Sequence, residues 1–307
     1  MRGLLSSELL RFRSRRLVVM VFVGTIIGIV VGSVIAAIES TPPTDAVLAE
    51  ARAEAEREIA GCLAMDWEGV PFEGRTLEEF CRSDFGDQTQ YMPSHLALIQ
   101  LPGILEGVAS ITSILGLVVG ASVVAVSWQT GTIATILAWE PRRLRWLGAR
   151  LLVIAVGVFV LVLILMGLVA GGVTLAAVFR GSTVGMEGAV WADVAMTCVR
   201  IAVAAIVSAV VGGAVAAIGR HTSAALAALF VYAAVFEGLI RGFRPLWTPW
   251  LLGDNLVTFV SWRTLSVGVF PTGSYTLEPV RAIFVLLAYM AVVVAFGFML
   301  LRVRDVQ

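Results

Sequence analysis

The sequence contains no lysine; all 22 of its basic residues are arginine. A phosphate-binding loop of the GxxxxGK[ST] kind needs its lysine to reach the nucleotide phosphates. That route to ATP is therefore closed to this chain, and any ATP-driven work has to come from another one. Histidine is nearly as scarce: His95 and His221 are the only two, so no HExxH zinc site can be written. No GxSxG nucleophile elbow occurs either. No catalytic residue, metal site or cofactor is expected on this chain. Charged residues occupy only 14% of the 307 positions, against about 25% in soluble domains. A surface facing lipid excludes charge, so this shortage points to a membrane. The net charge is zero, which gives no global sign of a nucleic-acid partner.

What fills the chain instead is apolar sequence, 59% of it. A bilayer core needs about 20 apolar residues in helical conformation. Runs of that kind cover 17–38, 96–127, 147–179, 190–218, 223–241 and 280–301. The first is longer than the apolar stretch of a signal peptide and is expected to stay as an anchor. The fold class expected is an all-α polytopic membrane protein with six transmembrane helices. An amphipathic elbow helix is expected over 1–16, where Leu4, Leu5, Leu9 and Phe12 with nearby arginines suit the headgroup plane. A small acidic helical insert is expected over 39–95, between the first two spans.

Arginine placement orients the chain, because short cytoplasmic loops are enriched in basic residues. Arg2, Arg11, Arg13, Arg15 and Arg16 precede the first span. Arg142, Arg143, Arg145 and Arg150 follow the second, Arg220 the fourth, and Arg302 and Arg304 the sixth. The insert is rich in Asp and Glu, with Arg52, Arg57, Arg75 and Arg82 opposing them. Both termini, 1–16 and 302–307, are thus expected in the cytoplasm and the insert outside the cell. Cys62 and Cys81 both lie in that insert, where disulfides persist. A bridge between them would staple a helix over 45–60 to the segment 77–80, worth ~3 kcal/mol through unfolded-state entropy. Two free thiols are the alternative. Cys198 lies in a span.

The connection from Gly120 to Arg145 is the most specific stretch. Trp128, Gly131, Thr132, Thr135, Leu137, Trp139, Glu140, Pro141, Arg142, Arg143 and Arg145 resemble the link between the second and third helices of ABC-2 type exporter permeases. The likeness is greatest to an actinobacterial branch with the pattern EWxxGTxxTLLxWEPRRxR. Ser7-Glu8-Leu9-Leu10-Arg11-Phe12-Arg13 resembles the elbow of the same family. Two departures stand out: Ser127 replaces the usual Glu before the Trp, and Arg150 replaces a frequent Lys in the third helix. The resemblance implies a homo- or heterodimer of permease subunits in the plasma membrane, driven by two separate ABC ATPase chains that carry ATP and Mg.

The residues of the connection can be read without the resemblance. A helix is expected from Gln129 to Trp139, with Ile133, Ile136 and Leu137 on one side and Pro141 ending it. Its apolar side suits either a partner's groove or the lipid surface. The resemblance assigns coupling to the ATPase to the cytoplasmic stretch 128–146, through Trp128, Gln129, Gly131, Thr132, Ile133, Ile136, Leu137, Glu140, Pro141, Arg142 and Arg143. Gly131 is read there as permitting close backbone approach, and Ile133, Ile136 and Leu137 as filling a partner's cleft.

Glu106 early in the second span is a candidate pathway residue, since an ionisable group inside a membrane is a functional hypothesis by default. A hydrated position near the outer surface, after the Pro102-Gly103 kink, is the alternative. Glu237 and Arg241 are spaced for a same-face ion pair, and Arg200 is expected to snorkel outward. The segment 242–279 holds Pro245, Trp247, Trp250, Trp262 and Pro271. The resemblance implies short re-entrant helices there, at the outer mouth. Glu78-Glu79 with Arg82 bears a faint likeness to intramembrane CAAX-type proteases, but sits in a polar stretch with the arginine one position too close. The rival functions are an ABC-type assembly for peptide or antibiotic resistance or signalling, a secondary transporter, and a membrane enzyme.

The orientation is tested by tag accessibility in intact cells. Tags at both ends should stay protected until the membrane is permeabilised, and a C-terminal tag labelled from outside contradicts the assignment.

Overall fold

The computed structural model describes residues 2–40, 44–65, 76–86, 91, 96–139, 142–269 and 273–303, with the side chains of 2–4, 134, 136, 137 and 139 left aside. The chain is a predominantly helical, polytopic membrane protein. Among the described residues six helices are long and apolar enough to cross a bilayer. They are α2 (Arg16–Glu39), α5 (Leu101–Gln129, with a 3-10 turn at Leu98–Gln100), α7 (Arg143–Arg180), α8 (Gly188–Gly219), the composite Thr222–Phe243, and α12 (Pro279–Val303). Each runs within a few residues of an apolar segment because charge marks its ends: Arg16 and Glu39 bound α2, and Arg143 and Arg180 bound α7. Ahead of them lies α1 (Arg2–Arg13). The composite span is α9 (Thr222–Phe230), a π-helical turn over Val231–Phe236, and α10 (Glu237–Phe243).

The structure divides into two compact units. The smaller comprises 30–100 and 171–187. In it α3 (Asp45–Ala64) and α4 (Leu77–Phe85) are joined by the Cys62–Cys81 disulfide. Thr76 starts α4 through a capping box: its hydroxyl accepts from the Glu79 amide and the Glu79 carboxylate accepts from its own amide. Ser40 ties the unit further, donating to the Arg180 carbonyl at 2.7 Å and accepting from the Leu96 amide at 2.9 Å.

The larger unit comprises 1–29, 101–170 and 188–307. After α10 come a 3-10 turn at Pro245–Trp250 and α11 (Leu252–Ser261), which ends at Trp262 in the left-handed region. A hairpin follows, β1 (Leu265–Val269) pairing antiparallel with β2 (Gly273–Leu277) so that Leu265 faces Leu277 and Val267 faces Tyr275. The re-entrant helices expected over 242–279 are thus replaced in part by strands. Alternating Leu-Ser-Val-Gly-Val favours extended backbone, and Gly273, at φ +125°, adopts a turn conformation that side chains disfavour.

The core of this unit is the contact between α5 and α8. Gly116 and Gly120 on α5 form a GxxxG stripe against Ala205 and Ala209 on α8, and Gly212 returns the contact. A Cβ on Gly116 would lie 2.8 Å from the Ala205 carbonyl oxygen, and one on Gly212 2.5 Å from that of Leu117. One on Gly120 would overlap the Ala209 carbonyl. Lipid gives helices no hydrophobic reason to associate, so small residues that let backbones touch are what hold such a pair. Gly120→Leu should therefore lower the thermal unfolding midpoint in detergent well below that of Gly107→Leu, since space at Gly107 is open. Equal midpoints would contradict this account of the core.

Candidate functional site

Two polar sites lie at opposite ends of α5. At its C-terminal end, α1 is fastened to α5 and α7 by a buried charge cluster. Glu8 and Arg150 are each 2% exposed. Arg150 Nε lies 3.4 Å from Glu8 Oε2, and its Nη1 donates to Ser127 Oγ. Arg11 Nη1 donates to the other carboxylate oxygen of Glu8 at 3.0 Å. Arg15 Nη1 donates to the Ser122 carbonyl at 2.6 Å. Burial lowers the Arg15 pKa and the nearby Glu8 carboxylate opposes that shift. The Arg150 guanidinium stands 5.2 Å from the centre of the buried Trp146 ring. Phe12 is buried against α7: its ring occupies the space a Cβ on Gly157 would need. Leu9 and Leu10 remain exposed on α1. Phe12, expected to lie with Leu9 in the headgroup plane, packs inside instead.

The helix α6 (Thr132–Trp139) follows α5 after a break at Thr130–Gly131. Gly131 has φ +67° and nothing within 4 Å of where its Cβ would be. Among the described residues of the chain Gly131 makes no close backbone approach. The residue is needed for a left-handed turn, and the helix expected from Gln129 starts only at Thr132. Ile133, expected to fill a partner's cleft, is 4% exposed and so packs within the chain instead. Among the described side chains of α6, Thr132, Thr135 and Ala138 are exposed, with Gln129 and Gly131 exposed just ahead. Beside this turn the Arg220 guanidinium lies 4.7 Å from the Trp128 ring centre. Arg142 is exposed, and Arg143 donates to the Leu301 carbonyl at 3.4 Å. Glu140 and Pro141 lie outside the described residues, as do the side chains of Ile136 and Leu137.

At the other end of α5 a cavity of about 360 Å³ opens between α5, α8, the π-helical turn and α11. Glu106, Ser110, Ser113 and Leu117 line it from one face of α5, at helical spacing. Ser208 faces it from α8, and Tyr232, Glu237, Arg241 and Asp254 from the remaining sides. Glu237 is fully engaged: Arg241 Nη2 donates to Oε2 at 2.8 Å and the Gly253 amide to Oε1 at 2.9 Å. Arg241 also donates to Asp254 Oδ2 at 2.9 Å and 3.1 Å, which extends the expected Glu237–Arg241 pair into a triad. Glu106 accepts from the exposed Arg263 at 3.4 Å. The π turn is pinned by Tyr232, whose hydroxyl donates to Tyr289 Oη at 2.9 Å, while the Leu252 amide donates to Tyr232 at 3.3 Å. Such turns frequently mark functional sites.

Arg200, expected to snorkel outward, is buried: Nη2 donates to Thr197 at 2.9 Å and to Asp193 at 3.0 Å. Its head points toward the α8 N-terminus, but protein groups receive it. No groups of acidic, histidine or cysteine side chains suited to a metal occur among the described residues. Sequence reasoning missed the roles of Glu8, Ser113, Ser208 and Asp254. The Glu106–Ser110–Ser113 stripe carried a signal in its spacing, whereas Glu8 carried none toward Arg150. No protein-family model and no curated protein sequence matches the chain.

Removing one partner of a buried ion pair leaves an uncompensated charge, at about 3–5 kcal/mol. Glu8→Gln should therefore destabilise the folded protein by that order. Glu8→Leu with Arg150→Met should recover most of the loss, because neither charge is then left buried. Thermal unfolding of the wild type and these variants checks this; a single variant as stable as the wild type contradicts the buried pair.

Proposed function

We propose that the chain is the permease subunit of an ABC-2 type exporter in the plasma membrane, forming the substrate pathway while separate ATPase chains supply the energy. The observation that carries this reading is α6, a short helix between two spans, at the end of α5 where α1 is locked onto α5 and α7. A helix so placed transmits force well. Its Gly131 hinge fixes its direction, Ile133 anchors it inward, and the spans on either side are braced by Glu8, Arg150 and Ser127. The exposed Thr132, Thr135 and Ala138 form the surface that meets the ATPase, and Arg142 borders it. The absence of lysine agrees with nucleotide chemistry on another chain.

In this reading α1, α6 and both termini are cytoplasmic, and the disulfide-linked insert α3–α4 with the cavity mouth lies outside. Two permease subunits, identical or different, pair to form the pathway, and two ATPase chains carrying ATP and Mg dock beneath them. Closure of the ATPases on ATP moves α6, and the braced elbow carries that movement into α5 and α7.

The test is co-purification of a P-loop ATPase and its stimulated hydrolysis. Thr135→Trp should keep the permease folded and inserted yet abolish both. Gly131→Asn, tolerated in the left-handed region, should retain both, while Gly131→Val, which resists positive φ, should lose them. If all three variants keep the ATPase bound and active, α6 is not the coupling element.

A further inference from the structure

We propose that the cavity between α5, α8 and α11 binds an amphiphilic organic cation, with the ammonium or guanidinium group at Glu106 and Asp254 and the apolar body inside. The inference rests on the permease reading only for the consequence that this ligand is the cargo.

The cavity has the size of a small-molecule site, roughly 300–1,000 Å³. Its walls are apolar, with Leu117, Val211 and Val257 among them. Its lining carries three carboxylates, Glu106, Glu237 and Asp254, against one guanidinium, Arg241. That guanidinium is already committed to Glu237 and Asp254. An anion entering here would meet the carboxylates with no lining cation left to receive it. A cation finds Glu106 Oε2 and Asp254 Oδ1, neither of which has a partner among the described residues. Glu106 Oε1 is held only by the long, exposed Arg263 contact, which contributes little.

Deeper in, Ser113 and Ser208 point to a ligand independently of the charges. Each is 8% exposed and lines the cavity, and neither hydroxyl has a hydrogen-bond partner among the described residues. Both hydroxyls open into the cavity, although a helical Ser or Thr can instead donate to the carbonyl one turn back. Thr112, next to Ser113, does so by donating to Val108. Ser113 and Ser208 instead keep their hydrogen-bonding capacity for what occupies the cavity. With acceptor-rich carboxylates near the mouth, two hydroxyls within and apolar walls around them, the ligand that satisfies every group is a hydrophobic amine whose body carries a hydrogen-bond acceptor, as the sulfonamide of a dansyl amine does.

The test uses the full chain in nanodiscs of zwitterionic phosphatidylcholine, titrated with dansylcadaverine and followed by dansyl fluorescence against empty nanodiscs. Saturable binding is expected. N-acetylated dansylcadaverine, which keeps the fluorophore and loses the charge, should bind at least about tenfold more weakly, as should anionic dansylglycine. Glu106→Gln should weaken the amine about tenfold. Ser113→Ala, which removes a hydroxyl bonded to nothing among the described residues, should weaken it several-fold without lowering the unfolding midpoint. Ile111→Ala, on the exposed side of α5, should leave it unchanged. Equal affinity for the three probes, or an unchanged affinity in both Glu106→Gln and Ser113→Ala, overturns the proposal. No ATPase enters this measurement. Intact amine binding in a chain that recruits no ATPase would refute the permease reading alone, and ATPase coupling without amine selectivity would refute this proposal alone.

Discussion

Where α5 meets α8 there is no room for a side chain, and the placement of both functional ends follows from that. Gly116 and Gly120 bring the α5 backbone onto Ala205 and Ala209, so the two helices act as one rod. On one end of the rod the same approach sets Ser113 and Ser208 around a single cavity. At the other end it delivers Ser127 and Trp128 to the turn before α6. A β-branched or larger residue at Gly120 would push the helices apart and alter both ends together. In lipid this contact cannot be replaced by a general hydrophobic drive, which makes it the constraint on which the rest depends.

The charge cluster around Arg150 does different work. A buried ion pair adds little net stability compared with an apolar pair of similar volume. Its value lies in direction: Arg150 is engaged by Glu8 from α1 and Ser127 from α5, so one guanidinium fixes three elements at once. This also accounts for the two departures of the sequence from the pattern it resembles. With Ser127 where a Glu is usual, the carboxylate that neutralises Arg150 comes from Glu8 on α1. An arginine suits this task better than a lysine, because its planar fork can face two partners in fixed directions.

The spans were legible because they depend only on the length of an apolar run and the charges at its ends, both visible one residue at a time. The pairing of Cys62 with Cys81 was legible because the insert holds no other cysteine. Local backbone was partly legible. The α5–α6 turn could be placed, but the left-handed backbone at Gly131 could not be read from it, since a positive φ and a close approach both call for glycine. The π turn at Val231–Phe236 left no mark, because Val-Tyr-Ala-Ala-Val-Phe reads as ordinary helix and the tyrosine network that pins it is assembled from α12 and the α11 region. The hairpin after Trp262 was obscured by the density of Trp and Pro in the segment, which reads as a membrane interface. Glu8 and Arg150 are joined only by the tertiary fold, and no spacing rule links residues so distant in sequence.

Site-specific photo-cross-linking tests the central claim most directly. A photoreactive amino acid at Thr135, on the open face of α6, is irradiated in living cells and the adduct identified by mass spectrometry. The account predicts a covalent product with a chain that carries a nucleotide-binding P-loop, and none from the same probe at Ile111 on the exposed flank of α5. Adducts with lipid alone at Thr135 would contradict it, and would leave α6 as a helix resting on the membrane surface.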